Sequence, residues 1–250
     1  MLRTPGDAKI IVVMPARNAA RTLERTVSAI PRDWVDEIIL VDDKSTDDTV
    51  ALARRLPLHV VWHPHNVGYG GNQKTCYLQA LQHDADVVVM LHPDGQYEPT
   101  LIPKMVSPIL EGRADMVLGS RFLSPGGPFE GGMPKWKFAA NRGLTIVENA
   151  ILGTSFAELH TGYRAYSRDL LLQVPWLRNQ LDFTFDSELL FQAVHFKMRI
   201  VEVPCRTIYD EDASSVNFRQ GVVYGIKTLL AALRLVAHRS GLWPSRKYRP

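Results

Sequence analysis

Cysteine is scarce in this chain. Among 250 residues there are two, Cys76 and Cys205, far apart and in no CxxC or metal-ligand spacing. That excludes a disulfide-stapled scaffold and a zinc module, and it favours buried, reduced thiols in a cytosolic protein. Long apolar runs are missing as well. A membrane span needs roughly 18 apolar residues. The nearest approach, Val222 to Ala237, is interrupted by Lys227 and Arg234, so no spanning segment is expected. Met1 to Lys9 lack the apolar core of a secretory signal. Net charge is only +3, too little to argue for nucleic acid. There is no internal repeat and no low-complexity segment. What remains is a chain with 46% hydrophobic and 22% charged residues, the balance of a soluble globular protein long enough to bury a sizeable core.

Two short apolar runs end in carboxylates. Ile38-Ile39-Leu40-Val41 leads into Asp42-Asp43, and Val87-Val88-Val89-Met90-Leu91 leads into His92-Pro93-Asp94-Gly95-Gln96. Runs this short and apolar read as buried parallel strands. Ligands of open α/β sheets bind outside the carboxyl ends of the strands. Carboxylates placed there point to a ligand that brings phosphates and a divalent cation.

From residue 9 to about 120, strands and helices alternate. Strands are expected at Ile10 to Met14, Glu37 to Val41, His59 to Trp62, Asp86 to Leu91 and Asp115 to Gly119. Helices are expected at Ala19 to Ile30, Thr46 to Leu56, Gly71 to His83 and from Pro99, since proline suits a first helical turn. This alternation implies a parallel sheet with right-handed crossovers. Beyond it, Ser124 to Met133 reads as a glycine- and proline-rich mobile loop. Helices are expected at Lys135 to Leu152, Phe185 to His195 and Arg219 to His238. Thr161 to Ser167 reads as extended and Arg199 to Val203 as a strand. Tyr209 to Phe218 reads as a polar loop and Pro244 to Pro250 as a disordered basic tail. The apolar stripe Val222, Val223, Ile226, Leu229, Leu230, Leu233 and Val236 suits either a docking helix or a membrane-surface helix.

Six ordered segments carry a family resemblance: Pro15-Ala16-Arg17-Asn18, Val41 to Thr49, Asn66 to Asn72, His92 to Gln96, Gly119 to Phe122 and Thr161 to Arg164. Together they resemble family 2 glycosyltransferases, in particular the polyprenol-phosphate (dolichol-phosphate) mannosyl- and glucosyltransferase branch. The resemblance runs from about Ile10 to Ser215. It implies an α/β GT-A fold with a mostly parallel central sheet flanked by helices and a Rossmann-like N-terminal half. One domain over 1–243 is expected: a nucleotide-binding half (9–120), an acceptor half (121–218) and a C-terminal helix (219–239), followed by the basic tail 244–250. It further implies inverting transfer of a sugar from a UDP- or GDP-sugar, with Mg²⁺ or Mn²⁺. The acceptor would be a polyprenyl phosphate or, given the altered C-terminal loop, a soluble or envelope glycan. A weak sugar-nucleotide-binding partner is the non-enzymatic alternative. The implied setting is cytoplasmic, free or peripheral on the inner membrane face; a homodimer is compatible and nucleic acid is not expected.

The resemblance also assigns residues. Donor binding falls to Pro15, Arg17, Asn18, Asp42, Asp43, Asn66, Gly68, Gly71, Lys74 and Arg121. A carboxylate at Asp42 or Asp43 can accept from a base N–H or a ribose diol, whereas Ser45, Asp47 and Asp48 also suit helix capping. Glycines at 68, 70 and 71 allow close backbone approach. Asp94 is the metal-coordinating aspartate, with Gln96 a second ligand. His92 stands where the first acid of the DxD motif would be. It could ligate Mn²⁺, bond the nucleotide, or be purely structural. Glu158 takes the place of the family's catalytic aspartate, as base or as orienter of the acceptor, with Asp186 and Glu188 as rivals. Arg164, grouped with Asp94 and Glu158 as catalytic, either forks a phosphate or holds a buried acidic cluster. Ser214-Ser215 replace a basic segment, for which Arg206 or Arg219 could substitute.

Overall fold

The computed structural model describes residues 8–208 and 218–249. Among them, seven strands form one sheet: β1 (Ile10–Ala16), β2 (Glu37–Asp42), β3 (His59–Trp62), β4 (Val87–Met90), β5 (Met116–Ser120), β6 (Arg164–Ser167) and β7 (Ile200–Pro204). Their order is β3-β2-β1-β4-β6-β5-β7. β6 runs antiparallel to both β4 and β5, and all other pairs are parallel. The register places Val12 between Ile38 and Val89 at the centre.

Alternation of side chains along a strand sorts these residues onto two faces. Ile11, Val13, Ile39, Val41, Val88 and Met90 face one core. That core is closed by α3 (Tyr69–Gln82), α8 (Thr184–His195) and α9 (Phe218–Arg239), through Tyr77, Phe185, Leu189 and Leu235. Ile10, Val12, Met14, Ile38, Leu40 and Val89 face the other, covered by α1 (Leu23–Ser28), α2 (Thr49–Ala53) and α4 (Ile102–Leu110). Burial on both faces is why these strands lack a polar side. The remaining helices are α5 (Gly127–Glu130), α6 (Lys135–Leu152) and α7 (Arg168–Gln173).

Several expectations shift. α2 starts at Thr49, not Thr46, because Asp47 accepts from the Thr49 N–H at 3.1 Å and the Ala20 N–H at 3.1 Å, holding residues 45–48 in a turn. Burial pushes the Asp47 carboxyl up, but the bond from the Thr49 hydroxyl, and then these two, outweigh it and leave it below the usual range. Pro99 opens a short 3₁₀ turn, and α4 proper begins at Ile102. Ser124 to Met133 contains the one-turn α5. α7, and the 3₁₀ turn Trp176–Arg178 after it, carry no strong sequence signal. The tail is ordered to residue 249: Tyr248 is buried, Gln192 Nε2 donates to the Lys247 carbonyl at 2.8 Å, and Lys247 Nζ meets Glu188. The expectation of a disordered tail is therefore corrected, because its lysine supplies the counter-charge to a carboxylate buried on α8. The loop Tyr209 to Val216, with Ser214-Ser215, lies outside the described residues.

Candidate active site

One cavity of about 1110 Å³ opens at the carboxyl ends of β1, β2 and β4. Its polar end is lined by Pro15, Arg17, Asn18, Asp43, Asn66, Gly68, His92, Asp94 and Gln96. Three loops are knitted together here. Asn18, in left-handed backbone (φ 53°), accepts the Thr46 N–H at 2.8 Å, and its own N–H donates to Ser45 Oγ at 2.8 Å. Asp43 accepts from Val67 N–H at 2.7 Å, Gly68 N–H at 3.2 Å and Asn66 Nδ2 at 2.8 Å. The carboxylate after β2 thus anchors the glycine loop while remaining on the cavity wall.

Gly68 has φ +83°, and a Cβ there would come within 2.7 Å of the Leu181 carbonyl oxygen. The glycines of this loop therefore serve the docking of α3 against the segment before α8. Gly71 lies in α3 off the cavity wall. Lys74 Nζ donates to the Leu177 carbonyl at 3.0 Å and the Asn179 carbonyl at 2.5 Å, away from the cavity. Asp42 is buried beneath the loop, accepting the Ser45 N–H at 2.9 Å.

Asp94 is half-buried on the cavity wall, and its Oδ1 accepts the Gln96 N–H at 3.0 Å. His92 is occupied otherwise. Its Nε2 is 3.2 Å from the Tyr69 hydroxyl, which donates to Asp186 Oδ2 at 2.7 Å, and its ring stacks on Tyr69 with centroids 5.6 Å apart. A Cβ at Gly162 would sit 3.1 Å from that ring, so the backbone of 162 closes over it. Asp186, named from the sequence only as a rival base, is the far end of this chain.

No group of three or more His, Cys, Asp or Glu among the described residues could hold a metal ion alone. The donors present, the Asp94 carboxylate and the Gln96 amide, are oxygens suited to a hard ion that takes its other ligands from substrate phosphates and water. The residues thus fit Mg²⁺ or Mn²⁺ shared with a diphosphate.

Glu158 does not line the cavity. It is fully buried, accepting from the Arg121 N–H at 2.7 Å, Arg121 Nε at 2.7 Å and Asn141 Nδ2 at 3.0 Å. Glu202 on β7 supports it, accepting the backbone N–H groups of Ala157 and Glu158 at 2.7 and 2.9 Å. Arg121 does line the cavity, already paired with Glu158. Arg164 is buried, donating to the carbonyls of Thr161, Asp186 and Leu159 at 2.8, 2.7 and 3.2 Å. It organises the loop before β6 and meets no open space. Arg206 pairs with Glu130 at 3.5 Å, and the Arg219 side chain is outside the described residues.

The far end of the cavity is apolar and runs between α6 and α9. Ala140, Gly143, Leu144 and Val147 line one side, and Gly221, Val222, Gly225, Ile226 and Leu229 the other. Lys137 is also on the wall, its amine held below the usual range by burial and then by Arg121. Sequence reading passed over Tyr69, Lys137, Glu148, His160 and Tyr224. Two of these carried a signal: Tyr69 stands inside the Asn66 to Asn72 segment, and Glu148 is a carboxylate in step with the buried Thr145 and Leu152 of α6. α9 also departs from expectation. Gly221–Arg239 is long and apolar enough, by length and composition, to cross a membrane, whereas the sequence reading had set it aside because of Lys227 and Arg234. In the structure those cations turn to Asp182 and Glu188, leaving Val223, Leu230, Leu233 and Val236 exposed.

The model of "Glycosyl transferase family 2" matches residues 11–174. The UDP-N-acetylglucosamine–dolichyl-phosphate N-acetylglucosaminyltransferase of Methanococcus voltae is 29% identical, over 92% of this chain and 97% of that protein. The undecaprenyl-phosphate mannosyltransferase of Micrococcus luteus is 26% identical, over 86% of this chain and 89% of that protein. Among solved structures, glucosyl-3-phosphoglycerate synthase from Mycobacterium tuberculosis, in complex with Mn²⁺, UDP-glucose and phosphoglyceric acid, superposes with a TM-score of 0.69. It is 21% identical and the match covers 95% of this chain and 82% of that one, a likeness of fold.

Proposed function

The chain belongs to glycosyltransferase family 2 and has its GT-A fold, and from that premise we propose that it transfers a sugar from a UDP-sugar to a polyprenyl phosphate, with inversion and with Mg²⁺ or Mn²⁺. The observation that carries this reading is the two-ended cavity, polar at the strand ends and apolar between α6 and α9. A nucleotide sugar is polar throughout; a polyprenyl phosphate has a charged head on an apolar chain. One cavity with both characters suits that pair of substrates. The relatives named above act on dolichyl and undecaprenyl phosphates, and one uses a UDP-sugar.

In this reading the loops at Pro15–Asn18 and Asn66–Gly68, fastened by Asp43, hold the base and ribose. Asp94 and Gln96 would hold the cation, which when bound offsets the negative charge developing on the leaving nucleoside diphosphate. Arg17, Arg121 and Lys137 bring positive charge to the wall, where diphosphate and lipid phosphate must both be accepted. In this reading Glu158 fixes the direction of the Arg121 guanidinium, in place of the role of base or acceptor orienter that the resemblance implied. The exposed apolar side chains of α9 rest on the membrane surface, bringing the apolar end of the cavity to the lipid.

The test supplies labelled UDP- and GDP-sugars to the purified protein with polyprenyl phosphate in vesicles, under Mg²⁺, Mn²⁺ or chelator. Label from a UDP-sugar should enter the lipid phase only with a divalent cation. Label from a GDP-sugar alone would correct the donor; label moving only to soluble phosphorylated acceptors would overturn the lipid assignment. Asp94→Asn should remove cation-dependent donor binding in calorimetry and lower turnover at least about 10²-fold, as loss of a charge-stabilising group does. Undiminished turnover would overturn its place as ligand.

A further inference from the structure

With Glu158 taken up by Arg121 and Asn141, the cavity wall carries another candidate to receive the acceptor's proton. His160 Nε2 lies 2.8 Å from Oε2 of Glu148, a carboxylate on α6 with no exposed surface. The approach is off the line of an ideal hydrogen bond, so it is foremost a charge contact, and Glu148 has no hydrogen-bond partner among the described residues. His160 Nδ1 lies 2.9 Å from the Tyr224 hydroxyl on α9. That hydroxyl lies 2.9 Å from Ser187 Oγ on α8. His160 and Tyr224 line the same cavity as the nucleotide loops and the α6–α9 channel. Two residues on, Gly162 closes over His92, which ties this group to the polar end.

We propose that Glu148, His160 and Tyr224 form a proton relay for the transfer, with the Tyr224 hydroxyl meeting the acceptor. The proposal rests on the transfer reaction inferred above. Neither His160 Nε2 nor Glu148 has a hydrogen-bond partner among the described residues, but the negative charge beside Nε2 favours the ring proton on that nitrogen and leaves the Nδ1 lone pair to Tyr224. In that state Ser187 donates to Tyr224 and Tyr224 donates to His160. When the ring gains a proton, Nδ1–H donates to Tyr224 and Tyr224 donates to Ser187. Two hydroxyl hydrogens rotate and no heavy atom moves. A buried carboxylate without partners is costly, and the imidazolium is the counter-charge it lacks.

The step balances as follows. The acceptor's phosphate O–H bond breaks and its proton goes to the Tyr224 oxygen, while the phenolic proton passes to His160 Nδ1. The acceptor oxygen's electron pair forms the bond to the anomeric carbon. The bond from that carbon to the diphosphate oxygen breaks, and its electron pair leaves on the nucleoside diphosphate. Burial, and then the charge of Glu148, push the Tyr224 phenol well above its ordinary range, so it stays protonated and acts as a carrier. The other charges bearing on the group are Asp186 and Arg164 toward Tyr224, and Arg121, whose Nη2 donates to the His160 carbonyl at 2.8 Å.

Two measurements test this. Ring-nitrogen NMR of the ligand-free wild-type protein should find the neutral His160 protonated on Nε2 and accepting on Nδ1. A neutral ring protonated on Nδ1 overturns the relay whatever the activity. In transfer assays, Tyr224→Phe and His160→Gln should each lower kcat about 10²-fold, the scale of a lost general base, with donor Kd unchanged. Glu148→Gln should lower kcat in the same way and move the neutral ring's proton toward Nδ1 in the same spectra, because the negative charge that favours Nε2 is gone. Unchanged kcat in Tyr224→Phe, or an unmoved ring proton in Glu148→Gln, overturns the proposal. Wild-type protein with the expected tautomer but no transfer to any acceptor overturns the transfer reading and, with it, the relay's catalytic role.

Discussion

At the scale of single residues, the acids divide by what already holds them. Asp94 is bonded within its own loop and lines the cavity, which leaves it for a ligand. Asp43 is on the wall but saturated by the glycine loop, and Glu158 is closed off by Arg121 and Asn141. Motif position could not separate these cases, because a carboxylate in sequence carries no sign of its partners. Glu158→Gln is therefore expected to act on stability before chemistry. It leaves the buried Arg121 guanidinium without its counter-charge, a loss of about 3 kcal/mol for a broken buried pair. Urea unfolding reads this directly. A variant as stable as wild type, slowed only in turnover, would return Glu158 to the role of base.

At the scale of elements, glycine has two different uses. A Cβ at Gly70 would approach the Gln180 carbonyl oxygen to 2.5 Å and Phe185 Cβ to 2.8 Å, so α3 can start only where its first turn is bare. At Gly143 in α6, nothing lies within 4 Å of such a Cβ. Gly70→Ala should destabilise by about 1–3 kcal/mol through overpacking. Gly143→Ala should stabilise by up to about 1 kcal/mol through helix propensity, while raising the KM for a lipid acceptor by narrowing the channel. Thermal melts and acceptor titrations of the two variants check the contrast; equal melting temperatures would remove it. β5 and β7 carry their own pH dependence. Asp115 accepts from the Arg199 N–H at 2.8 Å and from its Nε at 3.0 Å, and the Arg199 bonds hold its carboxyl below the usual range. A depressed folded-state value means stability that is complete above the unfolded value of about 4 and lost as pH falls through the lower folded value. Asp115→Asn should therefore melt earlier than wild type at neutral pH, with the gap closing below that window.

At the scale of the whole molecule, the sheet divides two cores and with them the two thiols. Cys76 belongs to the core under α3 and Cys205 to the opposite one. Burial, and then Glu158, push the Cys205 thiol up to about 12, and burial pushes Cys76 well above its ordinary value. Neither thiol should react with a neutral-pH disulfide reagent until the protein unfolds, and both should react then; rapid native labelling would contradict the burial. The outer face of α9 is the larger consequence. Leu230 and Leu233 are 57% and 55% exposed and do not line the cavity. Leu230→Glu with Leu233→Glu should abolish flotation of the protein with anionic-lipid vesicles and leave donor binding intact. Flotation that survives would place the membrane contact elsewhere.

The alternation of strands and helices, the long helix α6 and the ordered motifs at the strand ends were legible in the sequence, because period and turn chemistry are local properties. The sequence also carried the family. It could not show that β6 enters the sheet antiparallel between β4 and β5, since four residues hold no information about their neighbours. Nor could it show that Glu158 and Arg164 are buried or that His92 meets Tyr69 and Asp186. The meeting of Glu148, His160 and Tyr224 from three separated segments was equally hidden. Those outcomes depend on which distant side chain reaches a buried charge first, and only the packed molecule decides that.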